Sequence, residues 1–240
     1  MIHGAKAVDN VIKEKGMSTA VSERLQGATQ RFVLHDIDWE GYQSLLKILG
    51  DRPVRVTYDR GTLELMTPLP IHERYKSLFG RLIETLTEEL DLDLYSFGST
   101  TLGREVLDRG LEPDECFYIS NARKIRDSKN IDLEFDPPPD LAIEIDITSN
   151  SGRRLSIYSA LKIPEVWQFD GEILTVLRLQ DDGSYRPNDG SEELPFLPMA
   201  DIAAFIRDYQ PGTDTQWAKA FRRWVRETIV PRARGGGEND

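Results

Sequence analysis

Residues 140–149, DLAIEIDITS, alternate with a period of two. Leu141, Ile143, Ile145 and Ile147 fall on one face of a strand, and Ala142, Glu144, Asp146 and Thr148 on the other. Upstream the rhythm changes to threes and fours: Ile71, Tyr75, Leu78, Phe79, Leu82, Ile83, Leu86 and Leu90 predict one long amphipathic helix opening at His72. Asp38 reads as the N-cap of a shorter helix over WEGYQSLLKIL, closed by Gly50, with Pro53 preventing its continuation. Val54, Val56 and Tyr58, the turn DRG, then Leu63 and Leu65 predict a β-hairpin.

Three strand-like runs follow the long helix: LDLYSFGSTTL, then CFYIS after LEPDE, then DLAIEIDITS after the break DPPPD. RRLSIYSALKI predicts a second core helix stopped by Pro164, and EVWQFDGEILTVLRL a strand, an Asp-Gly turn and a strand. From residue 201 to about 228 one or two helices place Trp217, Phe221, Trp224 and Thr228 on one side and Lys219, Arg222, Arg223 and Arg226 elsewhere. The apolar side is expected to dock on the core or on a second subunit, with contact to nucleic acid as the alternative for this aromatic and basic helix. This order predicts an α/β fold, a mixed α+β sheet flanked by helices, with an N-terminal helix and hairpin and C-terminal helices. The expected divisions are a mobile segment over 1–30, one domain over 31–200, a helical extension over 201–230 and a disordered tail over 231–240.

Composition narrows the classes. The 240 residues suffice for one full-sized domain, and no apolar run approaches the ~20 residues of a membrane helix, so no membrane partner is expected. MIHGAKAVDN lacks the apolar core of a secretory signal and Cys116 is the single cysteine, which makes the cytoplasm the expected compartment. A formal net charge of -11 opposes non-specific attraction to a polyanion. A local basic patch can coexist with it, and acids that hold metal are neutralised by the ion.

Glu144 and Asp146, two apart on one strand, have Cα atoms roughly 6.5 to 7 Å apart and point the same way. Two readings stand: a solvated face, or a site between covering layers where unpaired carboxylates are expensive and require a cation. Asp114, entering the preceding strand, is the natural third acid because sequential strands tend to lie side by side. Hard oxygen ligands suit Mg²⁺ or Mn²⁺, and a divalent ion among carboxylates serves phosphodiester hydrolysis. Cys116 reads as a small core residue, with no histidine in its segment to activate it.

The run from EPD, Glu112 to Asp114, through PDLAIEIDITS to RRLSIYSALKIPEVWQFDGEILTVLRLQ resembles the PD-(D/E)XK nuclease superfamily. More narrowly, together with LELMTPLPIHERY at residues 63–75, it resembles a large bacterial family of restriction-endonuclease-like proteins of unknown biological role. The resemblance spans roughly residues 31–180 and implies a restriction-endonuclease-like core. It also implies metal ligation by Asp114 and Glu144, with the Ile145 carbonyl as a further ligand and Mg²⁺ (or Mn²⁺) as cofactor. Asp146 stands where the superfamily has its lysine, and members of the narrower family take a lysine from the following helix, a position that Arg154 fills here. Arginine stays protonated and cannot act as a general base, although it can orient water or stabilise phosphate charge. Arg153 or Lys162 could substitute, and Asp146 is either a second metal ligand or a partner of Arg154.

Glu64 and His72 match the same signature. Glu64 either completes the metal shell or is an exposed hairpin residue; His72 either meets metal-bound water or phosphate, or caps its helix. The expected function is that of a Mg²⁺-dependent endonuclease acting on DNA, through Asp114, Glu144 and Arg154. The alternative is a catalytically weakened nuclease-fold domain that binds nucleic acid or a protein partner, and a third reading makes the acids structural salt bridges. A homodimer is expected from the terminal aromatics and from the frequency with which double-strand cutters work in pairs.

Overall fold

The computed structural model describes residues 30–126, 128, 130–147, 152–208 and 212–235. The expectations for residues 1–29, for Thr148 and for 236–240 lie outside these. Strand β1 (Gln30–Leu34) is followed by helix α1 (Trp39–Leu49), the hairpin β2 (Arg55–Asp59) and β3 (Thr62–Thr67), and the long helix α2 (Pro70–Leu90). Next come β4 (Tyr95–Ser96), β5 (Leu102–Arg104), β6 (Arg109–Leu111), β7 (Glu115–Tyr118) and β8 (Leu141–Ile145). The chain ends with α3 (Gly152–Ala160), β9 (Glu165–Phe169), β10 (Leu174–Leu179), β11 (Tyr185–Asn188), α4 (Met199–Arg207) and α5 (Asp214–Trp224). A π-helical turn, Val225–Ile229, joins α5 to α6 (Val230–Gly235). Residues 231–235 therefore continue a helix, which corrects the expectation that the disordered tail begins at 231.

The fold is the expected mixed α/β class, with its strands shared between two sheets. One sheet is antiparallel, in the order β1-β3-β2-β6-β5, and the other runs β11-β10-β9-β8-β7-β4 with β8 parallel to β9. The predicted hairpin is thus the centre of a sheet of its own. Arg60 and Gly61 both take positive φ in its two-residue turn, at 46° and 81°, the geometry that matches the twist of paired strands. The β5–β6 pair and β11 carry no clear sequence signal of their own, since each is short and polar or interrupted by glycine, and β1, QRFVL, has an apolar run without alternation. LDLYSFGSTTL, predicted as one strand, splits into β4 in one sheet and β5 in the other, with Gly98 at φ 56° between them.

Local capping follows the sequence. Asp38 caps α1 by accepting from the Gly41 N–H at 2.8 Å, and Gly50 closes it at φ 51°. α2 begins two residues before His72 because Pro70 fits the first helical turn. α3 ends at Ala160, before Pro164, through the left-handed Lys162 at φ 62°.

Both faces of β8 are covered, and that coverage decides what its acids experience. Leu141, Ile143 and Ile145 pack in one core with Phe79, Leu82 and Leu86 of α2, Ile206 of α4 and Phe221 of α5. Ala142 packs on the other side with Ile157 of α3 and with Leu102 and Leu111 of the first sheet. Each fully buried large apolar side chain contributes about 1.5–3 kcal/mol. Cys116 is fully buried and burial pushes its thiol pKa up, so it is a core residue.

The terminal helices dock on this core. Trp217 and Phe221, part of the ground for expecting a homodimer, are buried in the chain's own interior. Of the basic residues on α5, Arg222 bonds Glu89 at 2.6 Å and Glu88 at 2.8 Å; one turn on, Arg226 bonds Glu89 at 2.7 Å. Hydrogen bonds from Arg226, then from Arg222, hold the Glu89 carboxyl below the usual carboxylate range. A carboxylate depressed in the folded state adds stability above its unfolded pKa and loses it as pH falls through the folded value. Glu89→Gln therefore lowers the thermal midpoint at neutral pH and makes the acid-side decline shallower, which a series of melts from pH 7 downward measures.

Candidate active site

The site lies where the two sheets and the start of α3 converge. β7 begins just after Asp114, so the β7–β8 ladder ends beside it: the Asp114 N–H donates to the Ile143 carbonyl at 3.1 Å. Beyond that point the Ile145 N–H has the Asp114 side chain as its partner, donating to Oδ2 at 2.6 Å. The two strands that carry the candidate acids are thus locked by one of those acids. Asp114 is fully buried, and its other oxygen is ion-paired with Arg55, a β2 residue that is 7% exposed. Arg55 also lies 3.5 Å from Glu73. Burial lowers the Arg55 pKa from the ordinary arginine value, and Glu144 and Glu73 oppose the shift.

Glu144 is 5% exposed on the other face of β8 and meets α3. Arg154 holds it with two contacts, Nε to Oε2 at 3.1 Å and Nη2 to Oε1 at 2.7 Å, and the Tyr158 hydroxyl donates to Oε1 as well. Arg154 and Tyr158 are four apart and share one side of the helix. The same guanidinium donates to the Thr57 hydroxyl at 2.6 Å and to the Glu112 carbonyl at 2.6 Å, so it ties α3 to both sheets. Burial alone would lower the Arg154 pKa; the Glu144 carboxylate and its hydrogen bonds outweigh that and raise it. Tyr158 is pushed far up by burial and by Glu144, so it stays a donor.

A narrow cleft of about 30 Å³ opens here, close to the share of one water molecule in the liquid. Glu144, Ile145 and Asp146 line it from β8, Arg153 and Arg154 from α3, and Arg55, Thr57 and Glu64 from the first sheet. Glu64 pairs with Arg31, a further wall residue, and stands opposite Thr57 in the ladder, so it belongs to the cleft. Asp146 accepts from the Gln168 amide at 3.0 Å, while the Arg154 guanidinium is bound to Glu144. His72 is buried, and its Nδ1 accepts from the Leu69 N–H at 3.3 Å at the start of α2. Burial, then Arg55, lowers the His72 pKa, which favours the neutral ring that such an acceptor requires. Of its two sequence readings the structure shows the helix cap. Lys162 follows α3 in a left-handed turn, outside the cleft walls.

Arg55, Tyr158 and Thr57 were missed from the sequence. The signal for Arg55 and Thr57 was their alternation with Val56 and Tyr58 on a strand buried on both faces; that for Tyr158 was its spacing from Arg154.

Asp114, Glu144, Asp146 and the Ile145 carbonyl are hard oxygen donors of the kind Mg²⁺ or Mn²⁺ takes. Among the described residues no three His, Cys, Asp or Glu side chains gather into a ready metal cluster, and the two main acids are compensated by guanidinium groups. The donor set fits the ion in kind, and an ion at Glu144 competes with Arg154 for it.

These elements make a mixed α/β protein with acids at the end of one central strand and arginines around them. The chain belongs to the Uma2 family, described as "Putative restriction endonuclease", whose model matches residues 39–206. No curated protein matches. Among solved structures, a chain titled "putative nuclease belonging to DUF820 from Anabaena variabilis ATCC 29413" is 19% identical, covering 76% of this chain and 97% of its own at a TM-score of 0.46.

Tyr158→Phe removes a donor to a buried carboxylate and should cost about 1.5–3 kcal/mol in urea denaturation. A loss below about 0.5 kcal/mol would show that the hydroxyl does not support Glu144.

Proposed function

We propose that this protein is a metal-dependent endonuclease that hydrolyses phosphodiester bonds of DNA. The observation that carries this reading is the composition of one cleft: Glu64, Glu144 and Asp146 line it together with four arginines, Arg31, Arg55, Arg153 and Arg154, on a chain of net charge -11. A local basic wall beside acids suits a phosphate ester, whereas an acidic surface elsewhere discourages indiscriminate binding.

Asp114 and Glu144 would hold the ion, with Asp146 and the Ile145 carbonyl at hand. The ion supplies positive charge that stabilises the phosphoryl oxygens and acidifies water. The chain's own residues bind and orient. Arg153, exposed at the mouth, offers a planar guanidinium to a phosphate. Arg154 remains cationic throughout and stabilises negative charge without accepting a proton.

Cleavage of supercoiled plasmid at low salt with Mg²⁺ or Mn²⁺ tests the reading. Wild type should nick, and Glu144→Gln, which keeps the shape and removes the charge, should cut at least 100-fold more slowly. Equal nicking by the variant would remove the proposal.

One observation favours the alternative, a nuclease-fold domain with weakened catalysis: both Glu144 oxygens are engaged by a residue that cannot serve as a base. Arg154→Lys separates the two. A rise in cleavage of tenfold or more identifies the arginine as the cause of weakness, and a fall shows it to be adapted to the reaction.

A further inference from the structure

A second cleft, of about 540 Å³, opens on the opposite face of the β7–β8 sheet, between α2 and the chain around β4. Successive side chains of a strand point to opposite faces, so Glu115 turns away from the neighbouring Asp114 site and into this cleft. Glu115 is 9% exposed, yet among the described residues no hydrogen bond or ion pair reaches its carboxylate. Of the cations around it, Lys76 bonds the Ser99 hydroxyl at 3.2 Å, Arg222 at the cleft wall is committed to Glu88 and Glu89, and Arg81 lines the wall from an exposed position without bonding Glu115.

Room has been left beside this carboxylate. A Cβ on Gly80 would stand 3.5 Å from one Glu115 oxygen, and one on Gly98 3.9 Å from the other, so a larger side chain at either position would grow into the carboxylate's surroundings. The hydroxyls of Ser77 and Ser96 line the same space. Burial pushes the pKa of this carboxyl up to about 7, so it is driven towards its protonated form unless a cationic donor reaches it. The volume falls within the range of sites for small molecules. A single deeply buried carboxylate flanked by serine hydroxyls presents acceptors suited to the directional N–H donors of an organic ammonium.

We propose that this cleft binds a small organic amine, its ammonium group on the Glu115 carboxylate and its remaining N–H groups on the flanking hydroxyls. The site is separate from the cleft at Glu144 and stands whether or not that cleft is catalytic.

Calorimetric titration of the full chain with spermidine at low salt tests it. The expected result is one spermidine per chain. Affinity should fall at least tenfold in Glu115→Gln and in Gly80→Leu, which keeps the charge but fills the space. It should stay unchanged in Glu172→Gln, an exposed acid elsewhere. The thermal midpoint of Glu115→Gln without spermidine should not fall, since burial already disfavours the charged form there. Absence of saturable binding by wild type, or equal affinity in Glu115→Gln, would overturn the proposal. So would equal loss in Glu172→Gln, because it would mark general attraction to an acidic surface.

Discussion

The pairing of Arg154 with Glu144 is the constraint on which the site depends. Glu144 sits mid-sheet on a strand covered on both faces, where a lone carboxylate would be costly. Arg154 answers it from the first turn of α3, and its remaining donors reach Thr57 on the other sheet and the Glu112 carbonyl before β7. One guanidinium thereby satisfies a buried charge and fixes the angle between two sheets. The neighbouring Asp114–Arg55 pair repeats the arrangement on the same seam, with the Ile145 N–H as a third member.

Such pairs are asymmetric in their energetics. Replacing both members with well-packed apolar groups is often tolerated, while removing one strands the other at a cost of about 3–5 kcal/mol. The acids at this seam therefore serve the fold as well as any chemistry, and truncating either to alanine confounds the two roles. The same electrostatics sets the terms for a divalent ion, which would enter a site already neutralised by two arginines.

Much of the scaffold was legible because its signals are local. The α2 periodicity, the Asp38 cap and the turn at Arg60 and Gly61 each depend on a few adjacent residues. The first sheet was not legible as a whole, because β1 and the β5–β6 pair join it only through β3 and β2, far away in the chain. At the site, Glu64, Glu144, Asp146 and Arg154 line one cleft, while Asp114 is buried with the Ile145 N–H and Arg55 as its partners. Arg55 went unread because its alternation with Val56 and Tyr58 gives the face it takes on the strand but not the carboxylate, more than fifty positions later, that it meets there. His72 illustrates the opposite case: its signature match survives, and its side chain serves the helix start.

The most direct test is a double-mutant cycle over Glu144 and Arg154, using Glu144→Gln, Arg154→Met and their combination, with unfolding free energies from urea denaturation. The account predicts a coupling of at least about 2 kcal/mol, the double variant being more stable than the sum of the single losses requires. Additive losses would mean that the two residues act independently, and the seam would then be held by something other than this pair.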